Sequence, residues 1–98
     1  MQIKYRTKKI EKICVNVDIA TKFYGLNMAI KIHLRIDQIS AASNVIELIS
    51  DSIGRCHELN GNRNGQYAMD LVHPYRLIFV VKGSQINIAE IQEIVDYH

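Results

Sequence analysis

Residues 56–81, CHELNGNRNGQYAMDLVHPYRLIFVV, constrain the fold more than any other part of the chain. Apolar and polar side chains alternate in residues 66–72, which predicts a half-buried antiparallel strand. Residues 75–81 are almost wholly apolar and rich in β-branched and aromatic types, which predicts a central strand covered on both faces. The Asn- and Gly-rich loop at residues 60–65 can form a tight turn, which joins the strand at residues 66–72 to a third predicted strand that begins at Cys56. Pro74 interrupts the ladder because proline has no N–H to donate.

Arg76 is the exception in the apolar strand at residues 75–81. An unpaired charge is costly to bury in the middle of a sheet. We therefore expect this side chain to emerge at the rim of the sheet or in a cleft.

The segment before these strands predicts helices. Thr7 can cap a helix whose apolar stripe, at helical spacing, is formed by Ile10, Ile13, Cys14 and Val17. Residues 18–25 are a weaker continuation. Residues 27–42 alternate like a strand but are long enough to favour a helix, which would place Ile30 and Leu34 on a second apolar face. Residues 44–50 form either the last turn of that helix or a separate short helix.

The two ends of the chain complete the predicted architecture. Residues 2–6 alternate as a short opening strand, and the spacing of isoleucines in residues 86–94 predicts a bulged final strand. The order is β-α-α-β-β-β-β, an α+β fold with two N-terminal helices packed on a small antiparallel sheet. A length of 98 residues predicts a single domain spanning residues 1–98.

Composition excludes several classes of protein. The longest apolar runs fall short of the roughly 18 residues of a membrane span, and the N-terminus lacks the apolar core of a signal peptide, so we expect a cytoplasmic protein without membrane contact. Cys14 and Cys56 show no metal-ligand spacing, which favours buried thiols and predicts neither metal nor cofactor. The net charge of +2 is too small to argue for nucleic acid. The N-terminal basic run fits either a solvated helix face or a phosphate-facing patch, and it consists of Lys4, Arg6, Lys8, Lys9 and Lys12.

Seven residues have side chains suited to acid–base or phosphate chemistry: His57, Arg63, His73, Arg76, Asp96, Tyr97 and His98. Taken singly, His57, Arg63 and His73 also fit purely structural roles in a strand, a loop and a turn. An acid, a phenol and an imidazole in the last three positions are harder to explain as a frayed end.

The order of three motifs carries a family resemblance. They are His57-x-Leu59-x-Gly61-x-Arg63-x-Gly65, then Tyr75-Arg76-Leu77-Ile78-Phe79, and finally Asp96-Tyr97-His98. Together they resemble the HigB-type toxins, the plasmid-maintenance killer proteins of the RelE/ParE toxin superfamily. The similarity extends over nearly the whole chain, and its N-terminal part favours the helix over the strand for residues 27–42.

The resemblance implies an endoribonuclease that cuts messenger RNA on the ribosome and is neutralised by a cognate antitoxin in a toxin–antitoxin hetero-oligomer. The antitoxin is expected to bind DNA through a helix-turn-helix. The implied catalytic residues are His57, Asp96, Tyr97 and His98. The implied substrate-binding residues are Arg63, Arg76 and Tyr75, and no metal is implied. The RNA 2′-OH would be the nucleophile.

Two positions depart from the pattern of these toxins. Asn60 stands where lysine is common, which removes one cation, and Pro74 stands where asparagine is common. Two alternatives therefore remain. The chain could share the fold of the ParE toxins that act on DNA gyrase, or it could be a non-catalytic module that binds an antitoxin.

Overall fold

The computed structural model of the chain describes residues 1–83 and 85–96. The helices and strands, in chain order, are β1 (Gln2–Tyr5), α1 (Lys8–Val15), α2 (Val17–Tyr24), α3 (Leu26–Ala41), α4 (Val45–Ser50), β2 (His57–Glu58), β3 (Gln66–Asp70), β4 (Tyr75–Lys82) and β5 (Ile88–Asp96). Short 3₁₀ turns at Ile53–Arg55 and Gly61–Arg63 precede and follow β2. The α+β class predicted from the sequence is confirmed.

The sheet has the strand order β1-β5-β4-β3-β2 in the described part of the chain. Strand β4 lies in the middle, as its apolar sequence predicts. The sheet is mixed rather than wholly antiparallel, because β1 runs parallel to β5. Alternation identifies a strand but carries no information on its direction, so the sequence could not reveal this pairing. The amino group of Met1 donates to the carbonyl groups of Ile39, Ser40 and Ala42 at the end of α3, which anchors the start of β1.

The predicted first helix divides into α1 and α2 at Asn16. The side chain of Asn16 accepts the N–H groups of Asp18 and Ile19, at 2.9 and 3.2 Å, and so begins a new helix. Thr7 caps α1 as expected, accepting the N–H of Ile10 at 3.2 Å. The prediction of two helices is therefore too low, because α4 is also a separate helix, capped by Asn44.

Residues 27–41 are helical, within α3, and Ala42 is its C-cap, which confirms the interpretation from length and from the family resemblance. Met28, Ile32 and Ile39 form the buried side of this helix. Ile30 and Leu34 lie on its second face and are 57% and 42% exposed.

The main core lies between the helices and one face of the sheet. Phe79 and Ile91 from the two central strands are fully buried there against helical side chains that include Ile32, Ile39 and Leu48. Each such side chain contributes about 1.5–3 kcal/mol on burial, and this core fixes the position of the sheet on which the candidate site is built.

The other face of the sheet carries a small cluster of its own, formed by Leu59, Ala68 and Ile78 with half-buried Val95 beside them. Among the described residues, no helical side chain belongs to this cluster. We call this side the helix-free face. Strand β4 is therefore buried on both faces, as predicted.

The predicted bulge in the last strand is confirmed. Ile78 pairs with Glu93, whereas the next residue, Phe79, pairs with Ile91, so that Gln92 is the extra residue of β5. The bulge keeps Ile91 in the main core and places Glu93 on the helix-free face.

Cys14 and Cys56 are buried free thiols, as predicted. Burial raises the pKa of the Cys14 thiol to about 12 and that of Cys56 to about 11. Both cysteines are therefore protonated at neutral pH and behave as small apolar residues. Within the described residues, no helix is long and apolar enough to cross a membrane.

Candidate active site

The sheet register places the predicted site residues on a common surface. His57 pairs with Ala68, Ala68 with Ile78, and Ile78 with Glu93, and residues paired across strands point to the same side of a sheet. Arg76, two positions before Ile78, lies on that same side. His57 and Arg76 therefore both belong to the helix-free face, roughly 12 Å apart at their Cα atoms, as strand spacing and rise imply.

The imidazole of His57 is half-buried and held by its own backbone segment. Its Nδ1 lies 2.8 Å from the carbonyl oxygen of Arg55. A carbonyl can only accept, so Nδ1 carries a hydrogen and Nε2 is the nitrogen that gains or loses a proton. This arrangement suits a general acid or base that acts through Nε2.

Arg63 reaches the helix-free face from the 3₁₀ turn between β2 and β3. Its Nη1 donates to Oε1 of Gln66 at 2.9 Å and lies 3.5 Å from Oε2 of Glu93. The side chains of Arg63 and Glu93 are 37% and 39% exposed. This cation is consequently positioned by two strands but remains accessible to a ligand.

Asp70 joins two arginines where β3 ends and β4 begins. Its Oδ1 lies 3.4 Å from Nε of Arg76, and its Oδ2 lies 2.6 Å from Nε of Arg55. The main-chain carbonyl of Asp70 accepts a hydrogen bond of 2.7 Å from Nε of Arg35, which reaches it from α3. Burial lowers the pKa of Arg35, and the neighbouring Asp70 carboxylate opposes that shift.

Arg76 opens into a cleft, as predicted, with its side chain 27% exposed. The cleft has a volume of about 70 Å³ and is lined by Arg55, Asp70, Leu71, His73, Pro74, Tyr75 and Arg76. His73 is exposed in the turn between β3 and β4 and contributes an imidazole to its wall.

Tyr75 and Asp96 lie on the side of the sheet opposite to Arg76. They pair with each other across β4 and β5, and the Tyr75 ring packs edge-on against Tyr24 of α2, with 5.4 Å between ring centroids. Asp96 is exposed at the end of β5. Tyr97 and His98, the remaining predicted catalytic residues, lie outside the described residues.

Sequence reasoning missed four residues of this surface: Arg35, Arg55, Asp70 and Glu93. The alternation in residues 66–72 identifies Asp70 only as part of a polar strand face. Its position six residues before Arg76, across a predicted turn, is the signal that could have paired the two side chains. Among the described residues, no group of three or more His, Cys, Asp or Glu side chains is arranged to hold a metal ion.

Neither a family model nor a curated protein matches the chain. Solved structures do match it. A YoeB/ParE toxin from Agrobacterium tumefaciens is 14% identical with a TM-score of 0.62, and each chain is covered completely. YoeB in the YoeB–YefM complex of Staphylococcus aureus is 21% identical with a TM-score of 0.67, and a YoeB dimer of the same organism is 19% identical with a TM-score of 0.57. Both alignments cover all of this chain and 97% of the other.

These three structures are YoeB and ParE toxins, so they give no support to the HigB subtype that the sequence motifs predict. Their sequence identities are low, and the likeness is one of fold. The chain therefore has the fold of the YoeB and ParE toxins.

Proposed function

We propose that the chain is the toxin of a type II toxin–antitoxin system and cleaves messenger RNA on the ribosome. The observation that carries this proposal is the convergence of His57, Arg63 and Arg76 on the helix-free face. A group that can transfer protons and cations that can bind phosphate are two of the requirements for cutting RNA at its own 2′-OH.

The chemistry divides among these residues. In the proposed reaction the 2′-OH attacks the adjacent phosphorus, and the 5′-oxygen of the next nucleotide leaves. One imidazole removes the 2′-OH proton and another group protonates the leaving oxygen, and each role typically contributes about 10²–10⁴-fold. His57 acts through Nε2 as one partner of this pair. Every proton goes to or comes from a side chain, so the scheme requires no metal ion.

The last three residues complete the proposed site by resemblance. We assign His98 as the second partner of the acid–base pair, Asp96 as the group that orients an imidazole, and Tyr97 as a contact to the base or the 2′-OH. Because Val95 pairs with Arg76 and Asp96 with Tyr75, the described end of β5 lies beside the strand that carries Arg76. This adjacency of the strands supports a role for the C-terminal residues near Arg76, although the Asp96 side chain itself lies on the opposite side of the sheet.

Arg63 and Arg76 supply positive charge where Asn60 lacks it. A guanidinium binds two phosphate oxygens through parallel hydrogen bonds, which are stronger than those between neutral groups. The proposed roles are stabilisation of the phosphorane by Arg76 and substrate binding by Arg63. Tyr75, whose ring packs on Tyr24, supports the start of β4 and the wall of the cleft.

A groove between α1 and α2 is the proposed docking site of the antitoxin. Its floor is formed by Ile13, Ile19 and Phe23, and its rim carries Lys9, Lys12 and Lys22. Phe23 is 58% exposed, with Nζ of Lys9 at 5.6 Å from its ring centroid. An acidic amphipathic segment of a partner matches both the charge and the apolar floor.

The second exposed apolar surface, around Ile30 and Leu34 of α3, is the alternative docking site. Copurification from a two-gene expression plasmid distinguishes the two surfaces. The double variant Lys9→Glu, Lys12→Glu is expected to lose the antitoxin, whereas Leu34→Gln is expected to retain it. Loss with Leu34→Gln alone would move the site to α3.

The competing function is action on DNA gyrase, which is favoured by the likeness to a structure named as a YoeB/ParE toxin. Expression of the wild type, of His57→Ala and of a chain lacking His98, followed by primer extension on cellular transcripts, separates the two. Cleavage in the wild type and not in the variants supports the nuclease. Growth arrest in all strains with intact transcripts supports gyrase or another target, and absence of arrest in the wild type supports a non-catalytic binding module.

A further inference from the structure

Arg55 adopts a backbone conformation that residues other than glycine seldom adopt. Its φ is +53°, and two residues close before it, Ser52 and Gly54, also have positive φ, at 52° and 59°. Such a conformation costs free energy and persists where surrounding contacts hold it, commonly at binding and catalytic sites. The contacts of Arg55 show which residues of the candidate site this backbone conformation holds in place.

Arg55 makes two contacts with the candidate site. Its carbonyl oxygen accepts Nδ1–H of His57 at 2.8 Å, which fixes the tautomer and direction of that ring. Its Nε lies 2.6 Å from Oδ2 of Asp70, while Nε of Arg76 lies 3.4 Å from the other oxygen of the same carboxylate. One carboxylate thus bridges two guanidinium groups.

The charges of this bridge do not cancel. Two arginines and one aspartate give these three side chains a net charge of +1. The Arg55 side chain is 71% exposed, and its contact with Asp70 uses one of the five N–H donors of a guanidinium. The cleft has a volume of about 70 Å³. A phosphodiester has the matching charge of −1 and two oxygens for forked donors.

We propose that Arg55 is a further phosphate-binding residue. Across Asp70 from Arg76, it holds an RNA phosphate next to the scissile one, and its carbonyl keeps Nε2 of His57 directed at the substrate. This inference deepens the proposed nuclease function and rests on it for the identity of the ligand as RNA.

The proposal is tested by measuring the binding of a short, labelled 2′-O-methyl RNA oligonucleotide. Fluorescence anisotropy gives the Kd over a range of salt concentrations. The blocked 2′-OH prevents cleavage, so binding is measured whether or not the chain is a nuclease. The variant is Arg55→Asn, because asparagine tolerates positive φ and removes the charge. Arg55→Lys keeps the charge without the fork, and Lys22→Gln on α2 removes one exposed positive charge that does not line the cleft. Thermal melting confirms that each variant is folded.

We expect Arg55→Asn to weaken binding about three- to tenfold and to reduce the slope of log Kd against log salt by about 0.7, the value for one phosphate contact on a single strand. Arg55→Lys restores the slope but only part of the affinity. Binding by Arg55→Asn equal to that of the wild type, an equal loss in Lys22→Gln, or no binding by the wild type at low salt would each overturn the proposal. If the wild type leaves messenger RNA on the ribosome intact while Arg55→Asn weakens binding, the nuclease assignment fails and the phosphate site stands.

Discussion

Replacing Gly54 by alanine tests how the cleft is supported from behind. Gly54 has φ of +59°, and a Cβ atom there would lie 2.7 Å from Nε and 2.9 Å from Cζ of Arg35. The guanidinium must therefore move. That guanidinium donates through Nε to the carbonyl oxygen of Asp70 at 2.7 Å and through Nη1 to Gln38 at 2.9 Å. Gly54→Ala consequently breaks the hydrogen bond by which Arg35 of α3 supports Asp70 at the end of β3.

The cost has two parts. Alanine in the left-handed region costs about 1–2 kcal/mol, and loss of a hydrogen bond from a charged donor costs about 1.5–3 kcal/mol more. Gly61 is the matched control, because its φ is +66° but a Cβ atom there would have nothing within 4 Å. Gly61→Ala should therefore lower the free energy of unfolding by the backbone cost alone. Since 1 kcal/mol corresponds to about 4–8 °C in a domain of this size, Gly54→Ala should melt at least about 6 °C below Gly61→Ala.

Urea or thermal denaturation followed by circular dichroism measures both variants, and the same pair is repeated in an Arg35→Met background. With the guanidinium absent, the excess cost of Gly54→Ala over Gly61→Ala should disappear. Equal melting temperatures for the two single variants would refute the reasoning. So would an excess cost that survives in the Arg35→Met background.

Three further predictions concern stability and the site. Asn16→Ala should cost about 0.5–2 kcal/mol of the free energy of unfolding, because it removes the cap that starts α2, whereas Asn16→Asp should keep most of it; equal melting temperatures would contradict the role of the cap. Burial raises the pKa of Cys14 from 9.0 to about 12. The contribution of this thiol to stability is therefore fully present below pH 9 and is lost as the pH rises towards 12, because only the unfolded chain ionises it in that range. Cys14→Ala should lose less free energy of unfolding than the wild type between pH 8 and pH 10, and an equal loss would argue against a buried thiol. Glu93→Gln removes the ion pair with Arg63 and one negative charge from the surface, so it should tighten binding of the 2′-O-methyl RNA about two- to fivefold. Unchanged or weaker binding would show that Glu93 does not compete with the RNA for Arg63.

Local patterns in the sequence were sufficient for the elements that depend on local physics. The apolar sequence of β4 predicted its central place, and the change of isoleucine spacing predicted the bulge in β5. Thr7 predicted a helix start. Asn16 is also a good cap, but it lies within a continuous apolar stripe, so the stripe suggested one helix where the cap makes two.

The arrangement of the site depends on tertiary contacts that local patterns do not encode. Asp70 bridges Arg55 and Arg76 because β2, β3 and β4 are adjacent and because Arg55 adopts a positive φ, and neither fact follows from residue type. The face on which Tyr75 lies follows from its register with Asp96. The alternation of side chains in β4 could have separated Tyr75 from Arg76, but the family resemblance grouped them.

The most direct test of the central claim is the chemistry of the cut ends. Ribosomes carrying a defined messenger RNA are incubated with the wild type or with His57→Ala, and the fragments are analysed for their terminal groups. Attack by the 2′-OH predicts a 2′,3′-cyclic phosphate or its hydrolysis product on one fragment and a 5′-hydroxyl on the other, with the rate reduced about 10²–10⁴-fold in His57→Ala. Intact RNA in the wild-type reaction, fragments with 5′-phosphates, or an unchanged rate in His57→Ala would contradict it.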